Sequence, residues 1–255
     1  MYGYARWNNT VNTQSLRNVQ SVSCWHFAVV APLLQVEKME IFMRQTRNVG
    51  KTYHSREEYL MSELMDIILH RRSIRRFETR QIEENALQEI LKAGMYAPSA
   101  GGRQGVLFAV CQNEEVNKRL GRIKRANSNP KMATATSYVS REQPSIADDP
   151  NLKNAFYDAP TVITLFAPKN FLFAVDDCAV AAENMMLVAD SLGIGSCYIG
   201  AGWTAFADPY GQEVLRQWDI RTDYYAVMQL LLGYALVEDK HPSAKPRKAG
   251  RIVRV

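Results

Sequence analysis

The chain has 255 residues, of which 47% are hydrophobic and 22% charged, a balance that excludes a wholly disordered or fibrous protein. Thirty-one Lys and Arg against 26 Asp and Glu give a net charge of +5; residues 1–60 hold 7 basic and 4 acidic residues, and residues 61–255 hold 24 and 22. The main body is therefore close to neutral, which argues against a protein that coats nucleic acid non-specifically and confines any basic site to a local cluster.

Residues 1–60 are rich in Asn, Gln, Arg and Ser and lack sustained helical or strand periodicity. They read as an N-terminal extension, mobile or the product of a start assigned too early, because Met61 offers a second start and Arg56-Glu57-Glu58 before it would be purine-rich in codons. From Met61 the pattern becomes orderly. Leu64, Met65, Ile67, Ile68 and Leu69 predict an amphipathic helix ending at Arg71-Arg72. A second helix starts near Glu83-Glu84, buries Leu87, Ile90 and Leu91, and is closed by Gly94 and Pro98. Val106 to Cys111 reads as a buried strand, and Glu114 to Ala126 as a helix charged over most of its circumference. Asn127 to Asp158 is a long polar excursion, and loops of that length are often functional.

Thr161 to Ala167 is β-branched and aromatic, hence a strand. Phe173 to Leu192 carries the strongest helical signal, with Gly193 as its stop. Gly195 to Ile199 makes a short strand, Gly211 to Trp218 a helix, and Ala226 to Tyr234 an apolar central strand; Pro242 to Val255 is basic and extended. Strands interspersed with helices indicate one body over residues 61–255.

Cys24, Cys111, Cys178 and Cys197 are widely spaced, form no C-x-x-C pair and read as free thiols in a reducing cytosol. His26, His54, His70 and His241 are equally scattered, so no metal centre is expected. No apolar run approaches the ~20 residues of a membrane span. Cys24 to Leu34 contains His26 and Pro32 and lacks a clear cleavage site after it, so a cytoplasmic protein is expected.

The densest chemical signal is Arg71-Arg72-Ser73-Ile74-Arg75-Arg76-Phe77. In an extended segment Arg71, Ser73 and Arg75 project to one side and offer two guanidinium forks and a hydroxyl, a match for a phosphate monoester. A solvated basic turn or a nucleic-acid patch would carry the same letters. Lys245-Pro246-Arg247-Lys248 forms a second basic cluster, which read alone is a solvated tail. Between them lie two Gly/Ser-rich turns, at residues 97–104 and 193–200, where backbone can approach a flat ligand closely. The second follows a helix instead of a strand and has the wrong glycine spacing, so it is not a dinucleotide fingerprint. Cys197 lacks a histidine neighbour in sequence and reads as a packed thiol.

Taken in order, RRSIRRF, APSAGGRQ, DDCAVAAENMMLVADSLGIGSCYIG, LLLGYA and KPRK resemble the nitroreductase family of flavin enzymes, from about Met61 to the C-terminus. The resemblance implies an α+β fold, a three-layer α-β-α sandwich around a mostly antiparallel sheet, and a homodimer with FMN at the interface. It implies that Arg71, Arg72, Ser73 and Arg75 hold the FMN phosphate and ribityl chain, with Lys245 and Arg247 reaching the same phosphate. Pro98, Ser99 and Ala100 of one subunit would touch the isoalloxazine held by the other, and Gln104 would lie near the ring or ribityl chain. Ile199 and Gly200 would present backbone to the pyrimidine and N5 side. Gly102, Gly105 and Val106 depart from the family's usual Asn, Pro and aromatic, which implies a looser turn.

No acid–base constellation stands out, and a flavin enzyme need not have one, since the cofactor carries the redox chemistry. The resemblance implies a ping-pong cycle in which NAD(P)H reduces FMN and a nitroaromatic, quinone or similar flat acceptor reoxidises it. The alternatives are a flavoenzyme of the same fold with different chemistry, such as dehalogenation or flavin processing, and a non-enzymatic anion-binding module. The partners expected are small molecules and a second copy of the chain, with neither nucleic acid nor membrane.

Overall fold

The computed structural model describes residues 56–128, 142–236 and 241–255. In chain order they form α1 (Arg56–His70), α2 (Glu84–Met95), β1 (Leu107–Cys111), α3 (Glu114–Ala126), β2 (Thr161–Pro168), α4 (Ala174–Ser191), β3 (Gly195–Ile199), α5 (Pro209–Gln217) and β4 (Tyr224–Gly233). Short 3₁₀ turns occupy Ala100–Gly102 and Gly202–Phe206. The expectations for residues 1–55, with Cys24, His26 and His54, and for residues 129–141 of the polar excursion fall outside the described residues.

The four strands pair antiparallel in the order β1-β2-β4-β3. The two middle strands are buried on both faces, and strands so placed read as continuous apolar runs instead of alternating ones. On one face Ile163, Leu165, Met228, Leu230 and Leu232 pack with Leu87 and Ile90 of α2 and Cys178, Ala182 and Met185 of α4. On the other, Val162, Phe166 and Leu231 pack with Leu120 of α3, Phe206 of the second 3₁₀ turn and Val214 of α5. Helices on both sides of an antiparallel sheet make the three-layer α+β fold that the resemblance implies.

The elements differ from their sequence reading in a few physically informative places. Helix α1 begins at Arg56, before Met61. Helix α5 begins at Pro209, because the Asp208 side chain accepts from the Gly211 N–H at 2.8 Å and Pro209 stands where no intrahelical N–H is needed. Strand β4 starts two residues early, at Tyr224, and is not wholly apolar: Gln229 lies at its buried centre. Its Nε2 donates to the Gly202 carbonyl at 3.0 Å and so ties the second 3₁₀ turn to the sheet. Helix α4 stops where Gly193 predicts, with Gly193 N–H donating to Asp190 O and Ile194 N–H to Ala189 O. Among the described residues no helix is long and apolar enough to cross a membrane.

Gly202 lies so close to β4 that a Cβ there would sit 2.6 Å from the Met228 backbone nitrogen. Backbone cannot yield as a side-chain tip can. Gly202→Ala should therefore lower stability by about 1–3 kcal/mol in urea denaturation. Gly105→Ala, whose Cβ would meet Pro168 only at 3.8 Å, should change it by less than about 0.5 kcal/mol.

Candidate functional site

Beyond His70 the arginine segment runs extended along the open side of β3. Ser73 forms a parallel bridge with Ser196, and Ile74 N–H donates to Ser196 O at 2.9 Å. Farther on, Phe77 bridges Ala235, Glu78 N–H donates to Tyr234 O and Leu236 N–H to Arg76 O. Ile74 is buried and abuts Gly195. The segment thus covers an edge strand and is anchored by its own backbone and one apolar side chain, which leaves the arginines for other work.

Arg72 and Arg75 direct guanidinium donors to backbone oxygens. Arg72 Nη1 donates to Leu69 O and Arg71 O, both at 2.6 Å. Arg75 N–H donates to Gln143 Oε1 at 2.6 Å, and its Nη1 to Gln143 O at 2.9 Å. The Arg75 guanidinium lies 5.9 Å from the centre of the Tyr157 ring. Arg71 has a loose ion pair with the half-exposed Glu183, at 3.9 Å. Among the described residues, three polar atoms of this region are buried with no hydrogen-bond partner: Nε of Arg72, Nε of Arg75 and Oγ of Ser196. Buried polar groups are nearly always satisfied, so two orphans on the arginine segment and one on the adjoining β3 make this a candidate ligand site.

A cavity of about 720 Å³ opens beside Arg75, lined among others by Lys124, Tyr157, Ile199, Gly200 and Trp203. Its size suits a small molecule or cofactor. The last part of the polar excursion contributes Ser145, Ile146 and Ala147 to its wall.

Lys124 is the residue that the sequence reading missed. Only 2% of it is exposed, and its ammonium donates to Gly200 O and Ala201 O, both at 2.7 Å, and to Thr204 Oγ1 at 3.1 Å. Burial pulls its pKa down to about 8, which still leaves it mainly protonated at neutral pH. Pulling two successive carbonyls inward helps to hold Ala201 in the left-handed region, at φ 53°. The available signal was spacing: Asn117, Leu120, Gly121 and Lys124 form a buried i, i+3, i+4, i+7 stripe on α3. Surrounded by Lys118, Arg119, Arg122 and Arg125, Lys124 looked like one more solvated cation.

Of the residues expected to bind, Arg75, Ile199 and Gly200 line this cavity, while Arg71, Arg72 and Ser73 lead up to it in the edge segment. Pro98, Ser99, Ala100 and Gln104 do not line it. Their turn is tied down: Ser99 Oγ accepts from Gln104 N–H, and Ala100 N–H donates to the buried Asp177 carboxylate, both at 2.9 Å. Gly101 and Gly102 take φ of 63° and 65°, where glycine is at ease, so these bonds replace the looseness expected of the Gly102 departure. Lys245 and Arg247 are exposed on the C-terminal segment and do not line the cavity either. That segment starts beside α1, where the rings of His241 and His70 stack 4.0 Å apart. Ser243 then donates twice to the Glu142 carboxylate, next to the Gln143 that holds Arg75.

The described cysteines are buried and free, as expected. Burial pushes the Cys178 thiol up to about 12 and raises Cys111 as well. It also raises Cys197, against the opposing pull of Arg75 and Arg71 and an interaction with Ser73. None suits a nucleophile at neutral pH.

A lysine whose folded pKa lies below its unfolded value weakens the protein most where both states would be protonated, and the loss is recovered as pH rises between the two values. Wild type should therefore gain stability relative to Lys124→Met between roughly pH 7 and pH 9.5, by on the order of 2 kcal/mol in denaturant titrations. A pH-independent difference between the two proteins would show that burial does not perturb this amine.

Residues 68–234, well over half of the chain, match the family model described as the nitroreductase family. A nitroreductase with bound FMN from Bacteroides fragilis is similar in structure, with a TM-score of 0.62 and 30% identity, over 76% of this chain and 98% of that one. An Archaeoglobus fulgidus protein provisionally named NADH dehydrogenase/NAD(P)H nitroreductase is 34% identical over 140 residues, 55% of this chain and 68% of its own. An NADPH-flavin oxidoreductase of Vibrio harveyi is 25% identical over 193 residues, 76% of this chain and 73% of its own.

Proposed function

The chain belongs to the nitroreductase family, and we propose from that premise that it is an FMN-dependent oxidoreductase taking reducing equivalents from NAD(P)H. Nitroaromatics, quinones and similar flat molecules are its acceptors. The observation that carries this reading is the set of orphaned buried atoms, Arg72 Nε and Arg75 Nε in the cationic segment and Ser196 Oγ on the β3 strand it pairs with, beside the cavity. A phosphate and the carbonyl edge of a flavin supply the acceptors that these groups lack.

Arg71, Arg72, Ser73 and Arg75 would hold the phosphate and ribityl chain, and Lys245 and Arg247 would close over the phosphate from the C-terminal segment. Ile199 and Gly200 offer backbone to the ring. FMN held there would supply two-electron redox chemistry, with NAD(P)H and the acceptor binding in turn in a ping-pong order. Lys124 fixes the 200–204 loop and places a positive charge at the cavity wall, which would favour negative charge on a flavin held there. Trp203, about half exposed at the rim, provides a flat apolar surface for an aromatic acceptor.

The reading also includes a homodimer. Leu64, Met65, Ile68 and Leu69 of α1 are exposed in the single chain, with Leu69 at 62%, an unusual position for an amphipathic helix's apolar side. A second copy would cover them and bring Pro98, Ser99, Ala100 and Gln104 to its neighbour's flavin.

Purified full-length protein should be yellow with a flavin spectrum, and should oxidise NADH or NADPH when a nitroaromatic or quinone is added. Arg71→Ala and Arg75→Ala should each weaken FMN binding by about 1.5–3 kcal/mol, measured by flavin fluorescence. Protein that is colourless and does not take up added FMN overturns the reading, and unchanged FMN affinity in both variants removes the phosphate assignment.

A further inference from the structure

Among the described residues the fold assembles one group of ligating side chains outside the cavity. His70 is the last residue of α1, Asp190 lies in the last turn of α4, and His241 opens the described part of the C-terminal segment. In sequence His70 and His241 are as scattered as the other histidines, and nothing there joins them. In the structure their rings stack with centroids 4.0 Å apart and planes 16° from parallel. His70 Nδ1 lies 3.0 Å from Asp190 Oδ2 and 3.2 Å from Oδ1. One ligand atom from each of the three residues falls within 4.8 Å of the other two.

We propose that His70, Asp190 and His241 form a binding site for a divalent transition-metal ion, Zn²⁺ by preference, that staples the C-terminal segment to the end of α1. Two imidazoles and a carboxylate are a ligand set for Zn²⁺ and its neighbours Co²⁺ and Ni²⁺, and unlike the oxygen-only sets that suit Ca²⁺ or Mg²⁺. Bond lengths of roughly 2.0–2.2 Å put tetrahedral ligand atoms about 3.3 Å apart. His70 and Asp190 already meet that spacing, and a tilt of the exposed His241 ring brings in the third atom. Two helices, α1 and α4, end at this point, and the negative ends of their dipoles favour a cation. Among the described residues, the Arg72 guanidinium acts on His241 and opposes a cation there. Its Nη1 is directed to the carbonyls of Leu69 and Arg71 instead.

The location gives the site a consequence. His70 directly precedes Arg71, and His241 stands four residues before Lys245. A metal here fixes the approach of both cationic stretches, and thus holds in place the segment that the flavin reading assigns to the phosphate. The metal site itself stands on the three side chains and not on that reading.

The test uses the full-length protein with any affinity tag removed, stripped with chelator and titrated with ZnCl₂ by calorimetry. One Zn²⁺ per chain at micromolar affinity is expected, and Co²⁺ in its place should give a visible ligand-field spectrum. His241→Ala and Asp190→Ala should each weaken binding at least tenfold, whereas His241→Cys, which keeps a ligand, should retain it. His26→Ala and His54→Ala should leave it unchanged. Hydrogen exchange in residues 241–244 should slow when Zn²⁺ is added. Absence of saturable one-to-one binding, binding indifferent to His241→Ala, or binding lost in the His26 or His54 variant overturns the site. Unaltered exchange in residues 241–244 overturns the staple. FMN retention, read separately from the flavin spectrum, distinguishes either failure from a failure of the flavin reading.

Discussion

The organising constraint is the backbone pairing of residues 73–78 against β3 and the end of β4. Arginines placed close together repel and would spread into solvent if the chain allowed it. Here the Ser73–Ser196 bridge, the Ile74 N–H and the buried Ile74 side chain fix the segment to the sheet. Backbone carbonyls at the end of α1 and the Gln143 oxygens take up part of the arginines' donor capacity. Arg72 Nε and Arg75 Nε stay buried without a partner, and that surplus is what supports reading the region as an anion site instead of a basic surface. On the proposed function, a bound phosphate would supply the acceptors that these donors lack.

The loop that walls the cavity is held by buried polar side chains of the protein itself. Lys124 draws the Gly200 and Ala201 carbonyls toward α3, and Gln229 draws the Gly202 carbonyl toward β4. With three successive carbonyls engaged from the protein side, the loop's conformation is set before anything binds. Keeping a lysine charged in an interior is unfavourable by itself, and the three oxygens around this one offset part of that penalty. Preorganisation of this kind lets a binding loop work without rearranging.

Much of this was legible in the sequence because burial writes itself into strings of residues. Strands β2 and β4 are covered on both faces, so TVITLFA and VMQLLLG appear as apolar runs, and Gly193 marks the end of α4. The arginine segment stood out through sheer density of charge. What stayed hidden depends on three-dimensional proximity. Lys124 is one cation on a helix full of them, and only the side it presents to the core distinguishes it. His70 and His241 are joined solely by the return of the chain to the end of α1. The 3₁₀ turn at Gly202–Phe206 owes its position to a glutamine inside β4, a contact no local pattern announces.

The central claim is that cations from distant parts of the chain act on one bound phosphate. A double-mutant cycle on FMN affinity, combining Arg71→Ala with Arg247→Ala, addresses it most directly. Groups that share a ligand atom couple, so the double variant should depart from the sum of the single losses by about 0.5–3 kcal/mol. Additivity within roughly 0.5 kcal/mol would mean that the two arginines act at separate places, and would contradict a common phosphate site.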